Sequence, residues 1–185
     1  MGERGEGSEK TMSTERLVRK AQDGDKEAFL ALVQEQELPL YRAAKAVLRR
    51  EADVEDAVQE AVLRAFYKIG DLRQPKYFKT WLTRILLNCC YDVLRTQRGI
   101  VSLDLLPDLG EEQDRDTALD VRETLAALGE NDRLILTLFY LNDMAVKDIA
   151  GLLQISQGAV KQRLVTGRRH FKEQYEARER RAAEP

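Results

Sequence analysis

Between Asp148 and Phe171 the sequence DIAGLLQISQGAVKQRLVTGRRHF sets Gly158, Lys161, Gln162, Val165, Thr166 and Arg169 along one side of a helical repeat, with Arg163 and Arg168 on the flanks. Cations, an amide, a hydroxyl and a small apolar group, free of acidic neighbours, are what bonds phosphate oxygens and base edges in a DNA major groove. A second set, Tyr77, Lys79, Thr80, Arg84, Asn88, Tyr91, Arg95 and Arg98, interleaves aromatic, amide and cationic side chains. That mixture suits unpaired bases, which stack on rings while cations hold the backbone. A third set, Asp53, Glu55, Asp56, Gln59 and Glu60, crowds acids into two helical turns. None of this is hydrolytic or redox machinery. The chain has one histidine, His170, and two cysteines, Cys89 and Cys90, with no Ser-His-Asp, Cys-His, P-loop or metal-ligand spacing. Binding chemistry is expected, with no catalytic residue, metal or cofactor.

Each set also has a plainer reading. A helical hairpin with a solvated basic face, a helix with its aromatics sunk in a core, and acids favoured by the positive end of a helix would contain the same residue types. On residue type alone both readings stand.

The elements that must position these groups are helical. Ile149, Leu152 and Leu153 form the apolar side of a short helix, the chain turns at Gln154-Ile155, and Ser156 stands as N-cap of a second helix. Val160, Leu164, Gly167 and Phe171 give that helix a packing stripe, so the pair reads as a helix-turn-helix. Upstream, Thr14 starts a first helix that Gly24 ends, and Asp25 caps a longer one with Phe29, Leu32, Val33, Leu40, Tyr41, Ala44, Val47 and Leu48 inward. Pro39 predicts a kink or break near Leu38. A helix starting at Asp53 buries Val54, Ala57, Val58, Ala61, Val62, Ala65, Phe66 and Ile69. After a turn-rich loop, Pro75 opens a helix whose broad apolar face holds Phe78, Trp81, Leu82, Ile85, Leu86, Cys89, Val93 and Leu94. Leu134, Ile135, Leu138, Phe139 and Leu141 pack beneath the helix-turn-helix.

The predicted fold is therefore all-α, two small helical domains on a flexible acidic linker. Residues 1–13 read as a disordered tail, 14–98 as the first domain, 99–116 as the linker, 117–178 as the second domain and 179–185 as a tail. Charge follows the same division. The net −2 hides a segment 75–98 with five bases against Asp92, a segment 99–132 with ten acids against Arg115 and Arg122, and a segment 155–185 with eight bases against four acids. Two basic modules separated by an acidic stretch imply two nucleic-acid-facing surfaces. No apolar run approaches the roughly 20 residues that span a bilayer, and MGERGEGSEK lacks a signal peptide's apolar centre. The expected setting is cytoplasmic, without direct membrane insertion and with Cys89 and Cys90 reduced.

Three segments, DVEDAVQE from Asp53, FKTWLTRILLN from Phe78 continuing to DVLR at Asp92, and DIAGLLQISQGAVKQRL from Asp148, occur in this order and at these separations. Through them the chain resembles the extracytoplasmic-function group of bacterial sigma factors, over about residues 14–175. The resemblance implies a promoter-specificity subunit that binds core RNA polymerase, recognises minus-thirty-five and minus-ten elements and aids strand melting. By it, Asp53, Glu55, Asp56, Gln59 and Glu60, with Leu63 and Arg64, meet the clamp helices of the largest polymerase subunit, while the flap is a further polymerase contact. Arg73, Lys76, Tyr77, Phe78, Lys79, Trp81, Arg84 and Asn88 match the segment that captures a flipped base of the minus-ten element. Ser156, Gln157, Gly158, Lys161, Gln162, Val165 and Thr166 match positions on minus-thirty-five DNA, with Arg163, Arg168 and Arg169 on phosphates. An anti-sigma protein is a further implied partner; a small-molecule substrate is not.

The chain departs from the family pattern in three places. Gly129-Glu130-Asn131-Asp132 replaces a usual Leu-Pro, Met144-Ala145-Val146 replaces a usual aromatic, and Thr166-Gly167-Arg168 replaces Arg-Ala-Arg. Two rival functions remain distinct in what they predict. A stand-alone helix-turn-helix regulator binds symmetric half-sites without polymerase, and a helical adaptor is indifferent to promoter sequence.

Overall fold

In the computed structural model, which describes residues 14–100 and 117–182, every regular element is a helix. Contacts divide the chain into two units, residues 1–93 and 94–185. The expected disordered tail at 1–13, linker residues 101–116 and tail residues 183–185 lie outside the described residues.

In the first unit, α1 spans residues 14–22 and stops where Gly24 takes a φ of +96°, a conformation that costs glycine no Cβ clash. Asp25 then caps α2 (Lys26–Val47), its carboxylate accepting from the Ala28 N–H at 3.0 Å. Of the kink or break expected near Leu38, the break does not occur: α2 runs through Pro39. An interior proline costs about 3 kcal/mol, whereas burying each large aliphatic side chain returns about 1.5–3 kcal/mol. Leu32, Leu40 and Val47 are buried on either side of Pro39, so packing against α3 outweighs the local rule.

Helix α3 (Glu51–Lys68) begins two residues before Asp53 and buries Val54, Ala57, Ala61 and Ala65 at steps of three and four. Phe66, expected in the core, lies at the surface, edge-on to Phe29 at 5.2 Å. Two polar clasps hold α3. Glu51 accepts from Lys45 Nζ at 2.5 Å and from Tyr41 Oη at 2.7 Å, and Arg64 bonds Glu60 at 2.6 Å and Asp92 at 3.2 Å.

The Lys45 ammonium, and after it the Tyr41 hydroxyl, hold the Glu51 carboxyl below its ordinary value of 4.5. A carboxylate with a depressed folded-state value stabilises the fold above its unfolded value, and that contribution is lost as pH falls through the folded one. Glu51→Gln is therefore expected to lower stability by about 0.5–1 kcal/mol at pH 7, an exposed-pair magnitude. In thermal melts across pH, the gap to the native chain closes only below pH 4.5; a gap that stays constant down to pH 3 contradicts the assignment.

Short turns at Ile69–Asp71 and Pro75–Tyr77 lead into α4 (Phe78–Ile100), which extends through Gly99 and Ile100 rather than ending at Arg98. Its buried side carries Phe78, Leu82, Leu86 and Cys89, as the period predicts, with Thr83, Leu87 and Cys90 in addition. The Thr83 hydroxyl is satisfied by the Lys79 carbonyl at 2.8 Å. Both cysteines are buried and unbridged. Burial pushes the Cys89 thiol up, and the Cys90 thiol to about 12.

The second unit holds α5 (Thr117–Ala127), α6 (Glu130–Leu136), a wider turn (Thr137–Leu141), α7 (Val146–Leu153) and α8 (Gln157–Ala182). Helix α8 packs against α5, α6 and α7 and continues past residue 178. At the Gly129 turn, the buried Arg133 folds back and donates from Nη1 to the carbonyls of Ala126 (3.0 Å) and Leu128 (3.1 Å), covering the C-terminal end of α5. Met144, in the segment that departs from the family pattern, is buried. A Cβ on Gly167 would stand 3.3 Å from Leu136 Cγ. Glycine therefore lets α8 lie close on α6 without displacing the Leu136 side chain. Nearby, His170 Nδ1 lies 2.6 Å from Asp132 Oδ2, a second tie between α8 and α6.

Candidate functional site

The turn between α7 and α8 is built by Gln154, whose left-handed backbone (φ 55°, ψ 41°) ends α7, and by the Ile155 N–H bonded to the Ala150 carbonyl at 3.1 Å. Ser156 caps α8 through the Ala159 N–H at 3.0 Å. With Val160, Leu164 and Gly167 buried, the reverse side of α8 presents Gln157, Gly158, Lys161, Gln162, Val165, Arg168 and Arg169 to solvent; Arg163 and Thr166 are half-buried. Val165 is 54% exposed amid donors, and an exposed apolar group of this kind is able to contact a thymine methyl. Arg168 donates to the Tyr140 hydroxyl at 3.2 Å, and Arg169 pairs with Glu173 at 3.8 Å. Sequence reasoning missed Tyr140; its one signal was a phenol at the end of an apolar run, whose hydroxyl needs a polar partner.

In the first unit, buried Ile69 and Leu72 anchor the loop before α4, leaving Arg73, Gln74, Lys76 and Tyr77 at the surface. Lys76 Nζ sits 5.0 Å from the centre of the Tyr77 ring. On α4, Trp81, Arg84, Asn88, Tyr91 and Arg95 follow one another at steps of three and four. Arg84, Asn88, Tyr91 and Arg95 are exposed, and Trp81 and Lys79 are half-buried. Phe78 is the correction to this set. At 1% exposure it is a core side chain, with its ring 6.0 Å from that of Trp81, and presents no face to a base. Position 78 opens α4, and the first turn of this helix points its apolar residue inward.

The outward face of α3 carries Glu55, Asp56, Gln59, Glu60 and Leu63, with Asp53 half-buried. Leu63 is 51% exposed, and Phe66 and Tyr67 are exposed one turn on, so the acids border an apolar patch. Arg64 differs from the rest: its pairs to Glu60 and Asp92 tie α3 to α4, which makes it a brace. Among the described residues no three His, Cys, Asp or Glu side chains are grouped to hold a metal ion. No helix there is long and apolar enough to cross a membrane.

Two family models match the chain: Sigma-70 region 2 over residues 32–100 and Sigma-70, region 4 over residues 118–171. The RNA polymerase sigma factor NccH of Alcaligenes xylosoxydans is 30% identical over 167 residues, covering 83% of this chain and 90% of that protein. The ECF RNA polymerase sigma factor SigM of Mycobacterium tuberculosis is 29% identical over 148 residues, 78% of this chain and 76% of that protein. Among solved structures, CnrH in complex with the cytosolic domain of CnrY superposes with a TM-score of 0.66 at 25% identity, covering 89% of this chain and 98% of that one. The chain belongs to the extracytoplasmic-function sigma factors, which direct bacterial RNA polymerase to promoters.

Proposed function

We propose that the two units divide this task. The α3 face, Asp53, Glu55, Asp56, Gln59, Glu60 and Leu63, docks on the clamp helices of core polymerase, with Arg64 holding the face rigid. The loop and α4 surface, Arg73, Lys76, Tyr77, Lys79, Trp81, Arg84 and Asn88, receives a flipped minus-ten base, with Phe78 as the core anchor beneath it. Ser156, Gln157, Gly158, Lys161, Gln162, Val165 and Thr166 face minus-thirty-five DNA, and Arg163, Arg168 and Arg169 hold its phosphates. The chain performs no covalent chemistry and works in the cytoplasm. CnrH was solved with the cytosolic domain of a second protein, which supports an anti-sigma partner for this chain too.

The observation that carries this reading is the α4 stripe. Arg84, Asn88, Tyr91 and Arg95 remain at the surface of a helix otherwise buried along Leu82, Leu86 and Cys89, a mixture of cations, an amide and a ring that suits an unpaired nucleotide. A stand-alone regulator has no need of such a surface. Adding the chain to sigma-free core polymerase and a promoter library tests it: specific initiation is expected, and duplex binding without initiation overturns it. Within that assay, Lys161→Ala or Gln162→Ala is expected to change preference at single upstream positions by about 1–3 kcal/mol. Arg169→Ala should weaken all sequences alike and flatten the salt dependence. Equal losses across the library remove Lys161 and Gln162 as base readers.

A further inference from the structure

The loop that precedes α4 is held by a side chain from far upstream. Gln22, on the last turn of α1, donates from Nε2 to the Ile69 carbonyl at 3.0 Å and to the Leu72 carbonyl at 2.8 Å, across 47 and 50 residues of sequence. The Ile69 carbonyl also accepts the Leu72 N–H at 3.2 Å. Amide and turn thus close a small ring around the residues that leave α3. Carbonyls at a helix end lack intrahelical partners and must find others, and here one amide supplies two of them. Buried Ile69 and Leu72 alternate with exposed Gly70, Asp71 and Arg73. Fixing the two carbonyls therefore fixes the direction in which Arg73, Lys76 and Tyr77 leave the core. Gln22 lies outside residues 32–100, which match region 2.

We propose that Gln22 is a positioning residue for minus-ten recognition, pre-setting the loop through its two bonds so that binding does not first have to order it. The inference rests on the base-capture reading above. Replacement by methionine keeps the length and apolar stem and removes the donors; alanine removes both. Holoenzymes assembled from core polymerase and each full-length variant are challenged with promoters randomised over the minus-ten element. Gln22→Met and Gln22→Ala are expected to bind core polymerase and minus-thirty-five duplex as the native chain does. Their discrimination among minus-ten sequences falls about tenfold, the size of effect that two lost hydrogen bonds carry, and backbone amides 70–74 exchange hydrogen faster.

The outcomes separate the two claims. A native holoenzyme that selects no minus-ten sequence overturns the base-capture reading. Native selectivity retained by both variants overturns the role of Gln22 alone. Variants that lose polymerase binding together with selectivity also overturn it, because Gln22 then only holds the unit together.

Discussion

Phe78→Ala lowers the stability of the first unit by about 3–5 kcal/mol, the range for emptying a buried aromatic site. The residue sits among those proposed to meet nucleic acid, Tyr77, Lys79, Trp81 and Arg84, yet its ring is fully enclosed. Urea unfolding followed by fluorescence is a direct measurement, because Trp81, the chain's one tryptophan, lies 6.0 Å from the Phe78 ring. Tyr77→Ala, at a residue 40% exposed, is the contrast: its midpoint stays near native while minus-ten selection weakens, since stacking on a ring is worth about 1–3 kcal/mol per base. A native midpoint for Phe78→Ala together with impaired promoter melting would restore Phe78 to the DNA surface.

Arg133→Ala is the second large effect, expected to destabilise the C-terminal unit by about 2–4 kcal/mol. Arg133 is 6% exposed and its guanidinium serves two carbonyls, and hydrogen bonds to charged groups contribute about 1.5–3 kcal/mol each. Alanine leaves the buried Leu128 carbonyl without this donor and opens a void between α5 and α6. Because α5 and α6 both pack on α8, the loss should appear as weaker minus-thirty-five binding for every sequence, with no change in preference. Lysine, able to reach one carbonyl at a time, is expected to recover part of the stability. Chemical unfolding that leaves Arg133→Ala within 0.5 kcal/mol of native, roughly the spread of neutral surface changes, rejects the capping role.

The helical class was legible because it depends on local period. Val54, Ala57, Ala61 and Ala65 on α3, and Val160, Leu164 and Gly167 on α8, are spaced as a 3.6-residue helix demands and are buried. So were the caps at Asp25 and Ser156, each a side chain reaching three residues ahead. What escaped was set by distant partners. Pro39 inside α2 is tolerated because of aliphatic burial on both sides of it, and Phe66 lies outward because alanines fill the α3 side of the core. Gln22 meets its acceptors only after some fifty residues have folded back. The exposed faces of α3, α4 and α8 were visible as unusual mixtures of residue types, but which members point outward was not. Phe78 is the one that its neighbours remove from the surface, and Arg64 gains ties to Glu60 and Asp92 that its residue type did not announce.

The depth of Cys89 and Cys90 has a consequence for the protein's chemistry in a living cell. Thiols kept protonated and enclosed on α4 react with peroxides or alkylating agents only when the helix opens. With reclosing faster than attack, their modification rate is the opened population multiplied by the reagent's own reactivity, so one reagent compared across variants reads the stability of the surrounding side chains.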